Sequence, residues 1–247
     1  MKRPDLPKKH FYPYIMPSGA MKLSSGLVLA LDVTDRSRAL DVAAKVAPHV
    51  DAVKVGYPLV LSCGPGIIGE LARSVYVLCD FKVADIPNTN RLIAAEAFKA
   101  GARGIICQAF PGRDSVSAVV EEAKKHGGDV LVVTEMSHPG ALDFMAGNAE
   151  RMARLARECG ASGIIAPATR PERVKALKAI VGDLLIISPG VGAQGGSASQ
   201  AILAGADAII VGRALYEAPD PADAAARLVS EVAQARTIVK EKGAGTP

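Results

Sequence analysis

The chain has 247 residues, of which 49% are apolar and only 4% aromatic, so its core must be built mainly from Val, Ile, Leu and Ala. This composition excludes a disordered chain, and no apolar run reaches the length that spans a bilayer. The formal net charge is +4, and four basic residues with one acidic residue among positions 1–20 supply +3 of it. A surplus confined to one end does not indicate nucleic-acid binding, so we expect neither a nucleic-acid nor a membrane partner.

The first 22 residues differ from the rest of the chain. They are basic, rich in proline and without clear periodicity, and they lack the apolar stretch of a secretory signal. We predict a leader over 1–22, either a native extension or a cloning remnant, and a catalytic domain over 23–247. The four cysteines form no CxxC pair, which favours reduced thiols in a cytoplasmic protein.

Eight short β-branched runs recur after the leader at intervals of roughly 21 to 33 residues. Stretches with apolar residues at helical spacing separate them, and a final helix is predicted over 221–240. Alternating strands and helices imply parallel strands joined by right-handed crossovers. Eight such units predict a single-domain α/β fold, the (β/α)8 TIM barrel. The predicted strands cover residues 27–32, 51–56, 75–82, 104–109, 129–135, 162–167, 183–188 and 207–212.

Charged residues occupy the ends of the first three predicted strands, where a (β/α)8 barrel has its active site. Asp80 and Lys82 share one face of strand three if Phe81 packs against the helices. By the same alternation Lys54 of strand two and Asp32 of strand one also point inward. These four charges could form a structural salt-bridge network, but burying ion pairs is a poor source of stability. The pattern therefore favours catalysis.

A glycine-rich segment follows strand seven, and Gly212-Arg213 follows strand eight. The loops after these two strands form the usual phosphate site of such barrels. Glycines let backbone N–H groups approach phosphate oxygens, and the Arg213 guanidinium can bind a phosphate through two hydrogen bonds. After strand five, Ser137 can donate and accept a hydrogen bond, which suits the amide edge of a heterocycle. We predict a phosphate site at the loops after strands seven and eight.

These motifs resemble the orotidine 5′-phosphate decarboxylase family over roughly residues 26–235. The Asp-x-Lys-x-x-Asp strand is shared by a wider superfamily, whereas its combination with Lys54 and the glycine-rich loop is more specific. The segments that carry the resemblance are KVGYPLVLS (54–62), DFKVADIPNTN (80–90), TEMSHPG (134–140), ATRPER (168–173), SPGVGAQGG (188–196) and VGRALY (211–216).

The resemblance implies that the chain decarboxylates orotidine 5′-monophosphate to uridine 5′-monophosphate, the last step of de novo pyrimidine synthesis. It implies no metal and no organic cofactor, and a homodimer with two sites at the subunit interface. Lys82 then resembles the general acid that protonates C6 of the pyrimidine, and Asp80 the carboxylate placed against the departing carboxylate group. Lys54 and Asp85 complete the charged network, with Asp85 contributed by the neighbouring subunit.

Substrate-binding roles are implied in the same way. Ile86 and Thr89 of the neighbouring subunit would supply an apolar wall and a ribose contact, while Asp32 and Lys54 would bind ribose hydroxyls. Five further positions resemble the residues around the base and the phosphate. Ser137 would contact the pyrimidine ring, which Pro189 borders. Gln194, Gly212 and Arg213 would hold the phosphate, with Gln194 bridging towards the base.

Two other functions remain open at this point. Magnesium-dependent sugar-phosphate aldolases and decarboxylases of the same superfamily share the strand-three motif, but they carry a Glu where this chain has Lys54. A second cation beside Lys82 would repel Mg²⁺. A non-catalytic phosphate-binding barrel would not need the Asp80, Lys82, Asp85 and Lys54 set. The chain also departs from many relatives at the end of strand four, where Gln108-Ala109 replaces His-Gly.

Overall fold

The computed structural model describes residues 21–244, which form a closed barrel of eight parallel strands in the order β1 to β8. Every predicted run overlaps one strand, with β3 and β7 ending one residue later than predicted, and the predicted (β/α)8 barrel is confirmed. The strands are β1 (Leu27–Ala30), β2 (Ala52–Gly56), β3 (Val77–Val83), β4 (Gly104–Gln108), β5 (Asp129–Val133), β6 (Gly163–Ile165), β7 (Leu185–Pro189) and β8 (Ala208–Val211).

Helices cover the outside of the barrel, and the connections after β2, β5 and β8 each carry more than one. The predicted last helix extends a little further than expected, to Ala244. The helices are α1 (Arg36–Val46), α2 (Tyr57–Cys63), α3 (Gly66–Leu71), α4 (Pro87–Lys99), α5 (Arg113–Lys125), α6 (Ala141–Phe144), α7 (Ala149–Glu158), α8 (Pro171–Val181), α9 (Ala198–Leu203), α10 (Arg213–Tyr216) and α11 (Pro221–Ala244).

Strand alternation divides the core into two layers. In β1, Val28 and Ala30 belong to the cluster inside the barrel, whereas Leu29 packs in the layer between strands and helices. Val, Ile, Leu and Ala dominate both layers, as the composition predicts. Among the described residues no helix is both long and apolar enough to cross a membrane.

The amino-terminal end of the barrel is closed by polar contacts around a buried carboxylate. The Met21 backbone N–H and the Tyr76 hydroxyl both donate to Oδ2 of Asp129, over 2.7 and 2.8 Å. Met21 itself is buried beneath the strands. Residues 1–20 of the predicted leader lie outside the described part of the chain, so the boundary at residue 22 stays a prediction.

Candidate functional site

A cavity of about 270 Å³ lies at the carboxyl ends of the strands, where the sequence places the site. Strands β1, β2, β3, β7 and β8 and the loops that follow them supply most of its polar lining. Nine of the twelve predicted site residues line this cavity. They are Asp32, Lys54, Asp80, Lys82, Ser137, Pro189, Gln194, Gly212 and Arg213.

Four of the predicted charged residues form one connected array. The Lys54 ammonium lies 3.0 Å from Oδ2 of Asp80 and 3.7 Å from Oδ1 of Asp32. The Lys82 ammonium donates to both Asp80 oxygens, over 2.9 and 2.8 Å. Burial alone would raise the pKa of Asp80, but the charges and hydrogen bonds of Lys54 and Lys82 outweigh it, and the pKa lies below its usual value. Asp80 is therefore ionised at neutral pH.

Lys82 adopts a backbone conformation that lysine seldom takes. Its φ is +42°, the only positive value among the described residues other than glycine. The β3–β4 pairing shifts register between Cys79 and Val83, so Lys82 lies within this irregularity. Phe81 packs outward as expected, stacked on Tyr57 at a centroid distance of 5.3 Å. The ammonium of Lys82 thus meets Asp80 from a strained backbone.

The segment after β7 folds into a compact glycine loop. Gly190, Gly192 and Gly195 all have positive φ, between +77° and +104°. A side chain at Gly196 would lie 2.6 Å from the Gly190 carbonyl oxygen, so the loop cannot accommodate one there. Arg213 begins α10 beside this loop, and its side chain is exposed and lines the cavity. Glycines and a guanidinium at one rim form a suitable phosphate site.

Two loops meet across the cavity through Ser137 and Gln194. The Ser137 hydroxyl donates to Oε1 of Gln194 over 2.7 Å, which joins the loop after β5 to the glycine loop. The Thr169 hydroxyl in turn donates to the Ser137 carbonyl over 3.1 Å. Thr169 therefore holds the backbone of Ser137, while the Ser137 hydroxyl points towards the glycine loop.

A fully buried carboxylate anchors the same loop from below. The Glu135 carboxylate accepts hydrogen bonds from Nε of Arg170 over 2.9 Å and from Nε of Arg173 over 3.0 Å. Arg170 also donates to the Met136 carbonyl, and Arg173 to the Ala146 carbonyl. Because a buried carboxylate needs such partners, this network fixes the loop that carries Ser137.

Asp85, Ile86 and Thr89 do not line the cavity of their own chain. Asp85 and Ile86 lie on the exposed surface between β3 and α4, and Ile86 is 65% exposed. One oxygen of Asp85 accepts the Ile86 N–H over 2.7 Å, and within the described part of the chain no cation pairs with it. The structure thus brings nine predicted residues together and leaves the other three outside the cavity of their own chain.

Sequence reasoning missed the apolar lining of the cavity. Ile106, Val133 and Ile165 line it on the side of β4, β5 and β6. Alternation along those strands, applied as it was to strand three, would have found them. Tyr216 also lines the cavity, one helical turn after Arg213, a spacing that places both on one face.

Other polar and nucleophilic groups near the mouth do not join the array. Burial, and then the charge of Asp80, raises the pKa of Cys79 to about 12, so its thiol stays neutral. Gln108, which departs from the family pattern, donates to Sδ of Met136 over 3.8 Å. Its buried Oε1 has no protein partner in the described region. No group of three or more His, Cys, Asp or Glu in residues 21–244 is arranged to hold a metal ion.

Comparison with known proteins gives one consistent result. The sequence model of the orotidine 5′-phosphate decarboxylase / HUMPS family matches residues 25–228. Orotidine 5′-phosphate decarboxylase of Methanosarcina mazei is 57% identical over 213 residues, which cover 86% of this chain and 97% of that protein.

Solved structures agree with the sequence comparison. The orotidine 5′-monophosphate decarboxylase of Methanocaldococcus jannaschii, complexed with the inhibitor BMP, superposes with a TM-score of 0.80 at 47% identity, covering 83% of this chain and 97% of that one. The orotidine 5′-phosphate decarboxylase of Pyrococcus horikoshii gives 0.78 at 46% identity, covering 84% and 99%.

The backbone strain at Lys82 can be measured by comparing two substitutions. Because glycine tolerates positive φ and alanine does not, Lys82→Gly should be more stable than Lys82→Ala by about 1 kcal/mol. Urea denaturation of both proteins measures the difference. At Lys175, exposed within α8, the same pair should show the opposite order, since glycine weakens a helix. Greater stability of Lys82→Ala would contradict the strained conformation.

Proposed function

The chain belongs to the orotidine 5′-phosphate decarboxylase / HUMPS family and decarboxylates orotidine 5′-monophosphate to uridine 5′-monophosphate in pyrimidine synthesis; we propose that the reaction takes place in this cavity, with Lys82 as the proton donor. The observation that carries the proposal is the buried Asp80 carboxylate between two ammonium groups. Ligand binding alone would not require this arrangement.

Lys82 performs the step that the chemistry makes hardest. Loss of CO₂ from C6 of the pyrimidine leaves a vinyl carbanion with no adjacent electron sink. A fixed ammonium beside C6 stabilises the developing negative charge and then donates its proton there, giving uridine 5′-monophosphate. The apolar wall formed by Ile106, Val133 and Ile165 excludes water from one side and strengthens this field.

Asp80 and Lys54 hold the proton donor and the substrate in position. Asp80 accepts two hydrogen bonds from Lys82, so it fixes the direction of the ammonium group. The negative charge of Asp80 also faces the substrate carboxylate and repels it. This repulsion destabilises the bound substrate relative to the product, which has lost that carboxylate. Lys54 keeps Asp80 ionised and, with Asp32, binds the ribose hydroxyls.

The phosphate binds at the other side of the barrel mouth. Strands β3 and β7 are four positions apart in a ring of eight, so they stand opposite each other. The glycine loop, Gly212 and Arg213 bind the phosphate there, far from C6. Ser137 and Gln194, already in contact, hold the base, and Pro189 borders it. Phosphate binding energy can thus close the loops around the reacting carbon.

The charge of the array supports a reaction without a metal ion. Lys54 occupies the space beside Asp80 in which a cation would have to bind, and Lys82 approaches from the other side. Two ammonium groups within hydrogen-bonding distance of one carboxylate would repel Mg²⁺. The magnesium-dependent sugar-phosphate activity is therefore not favoured, and no organic cofactor is required.

A second copy of the chain completes the site in this proposal. Asp85, Ile86 and Thr89 would reach the neighbouring cavity, with Asp85 joining the charged array and the other two lining the base and ribose. Large exposed apolar side chains on successive elements support a homodimer through this face. They are Tyr57 and Leu61 on α2, Ile86 immediately before α4, Leu92 within α4, and Phe110 after β4.

The state of the cysteines supports a cytoplasmic location. All four cysteines are free thiols in the structure. Cys79 and Cys107 are buried, and burial raises the pKa of Cys107, like that of Cys79, to about 12. Unpaired thiols of this kind are typical of reducing compartments.

A decarboxylation assay with chelator tests the metal-free reaction. Orotidine 5′-monophosphate should be turned over at an unchanged rate after exhaustive treatment with EDTA, because the array leaves no place for a divalent cation. The fall in absorbance of the substrate measures the rate. Activity that disappears with EDTA and returns with Mg²⁺ would overturn this mechanism.

Removal of the proton donor tests the role of Lys82. Lys82→Ala should lower kcat by at least ~10³-fold, since both the proton and the stabilising charge are lost. Binding of uridine 5′-monophosphate, measured by calorimetry, should persist because the phosphate site is intact. Lys175→Ala, on the exposed face of α8, is the matched control and should keep wild-type kcat. Near-normal turnover of Lys82→Ala would exclude Lys82 as the donor.

Subunit mixing tests the shared site. Lys82→Ala and Asp85→Ala proteins should each be inactive, but mixed dimers contain one site with both Lys82 and Asp85. After subunit exchange, activity should therefore recover to a fraction of the wild-type value. Differently tagged subunits prove the exchange, and activity is assayed on the doubly purified dimer. A mixed dimer without activity would contradict a site built from two chains.

A further inference from the structure

The backbone of Asp85 is held by one fully buried side chain from its own subunit. Oδ1 of Asn90 accepts the Asp85 N–H over 3.0 Å, and Nδ2 of Asn90 donates to the Asp85 carbonyl over 3.0 Å. Asn90 is 0% exposed. Both backbone polar groups of Asp85 are therefore bound to the same amide, which fixes the chain direction just before α4.

A second helix reinforces this contact. The Ser115 hydroxyl, near the start of α5, donates to the Asp85 carbonyl over 3.0 Å and accepts from Nδ2 of Asn90 over 2.6 Å. Ser115 is 2% exposed, so the bonds form away from water. The Asp85 backbone is thus tied to α4 and α5 together, and we call the two side chains of Asn90 and Ser115 the Asp85 clamp.

The side chain of Asp85 points away from this buried clamp. One carboxylate oxygen accepts the N–H of Ile86, which limits rotation of the group. Asp85 is nevertheless exposed and lies outside the cavity of its own chain. The backbone holds the Asp85 carboxylate and the apolar Ile86 side chain in fixed, exposed positions. Surface loops are usually less ordered than this.

We propose that Asn90 and Ser115 are positioning residues for the active site of the neighbouring subunit. This inference rests on the shared site proposed above. The clamp sets where Asp85 and Ile86 stand relative to the Lys54, Asp80 and Lys82 of the other chain. It touches neither substrate nor reacting atoms, and its effect on catalysis crosses the interface.

Rigid presentation matters because charge placement controls the reaction. A displacement of about 1 Å in a positioned group can cost on the order of 10²-fold in rate. Asp85 reaches the charged array of the other chain only after two chains associate. The chain that carries the array therefore cannot fix the position of Asp85 through its own backbone. Asp85 must instead be positioned by its own subunit, in which Asn90 and Ser115 lie.

Mixed dimers distinguish this role from a general structural one. In the Lys82→Ala and Asp85→Ala hybrid, the competent site takes Lys82 from the Asp85→Ala chain and Asp85 from the Lys82→Ala chain. Ser115→Ala is added to one chain or to the other. In the Lys82→Ala chain it disturbs the clamp that serves the competent site. In the Asp85→Ala chain it disturbs only the inactive site and is the matched control.

We expect kcat/KM of the hybrid to fall about 10- to 100-fold in the first placement and to stay within about twofold in the second. Size-exclusion chromatography and thermal melting check that both hybrids are folded dimers. Asn90→Ala, placed in the same two ways, should give the same asymmetry with a larger loss. If that protein does not fold, Ser115→Ala alone decides the question.

Other outcomes overturn the inference in separable ways. Equal losses in both placements would mean that the clamp only stabilises the fold, and no loss in either would mean that Asp85 does not depend on it. A parent hybrid without activity, despite proven exchange, would instead refute the shared site itself and the clamp inference with it.

Discussion

Asp80 stays charged in a buried position because ammonium groups from two adjacent strands reach it. Moving an isolated carboxylate out of water would cost several kcal/mol, and the geometry of the two lysines around Asp80 offsets this cost. The barrel supplies that geometry, since β2 and β3 pair in register so that Gly56 stands beside Asp80 and Lys54 projects alongside it. The charge state of Asp80 therefore depends on both lysines, and the ion pairs hold the three groups in position.

In the proposed function, the ring of strands separates phosphate binding from the chemistry. Lys54, Asp80 and Lys82 lie on β2 and β3, while the glycine loop follows β7, which stands opposite β3, and Arg213 follows β8. A substrate with a phosphate at one end and a reacting carbon at the other spans this distance. The hydrogen bond from Ser137 to Gln194 joins the loop after β5 to the glycine loop, and Thr169 and the buried Glu135 support the loop that carries Ser137.

The sequence predicted what depends on local periodicity. β-Branched runs gave all eight strands, and alternation placed Asp80, Lys82 and Lys54 at the mouth. It could not give the positive φ of Lys82, because that conformation arises from the register shift against β4. Nor could it pair Asn90 with Ser115, which lies 25 residues away on the next helix. Such contacts exist only once neighbouring units have packed.

One chain places most of the predicted site residues around its own cavity, and a small group of them lies outside it. Nine predicted residues line its cavity, and three stand outside it on a surface with exposed apolar side chains. A flexible loop carrying Asp85 would lose conformational entropy each time two subunits met, and that loss would weaken both assembly and catalysis. The buried bonds of Asn90 and Ser115 order the loop during folding instead. In the proposed dimer, folding of one chain therefore prepares the site of the other.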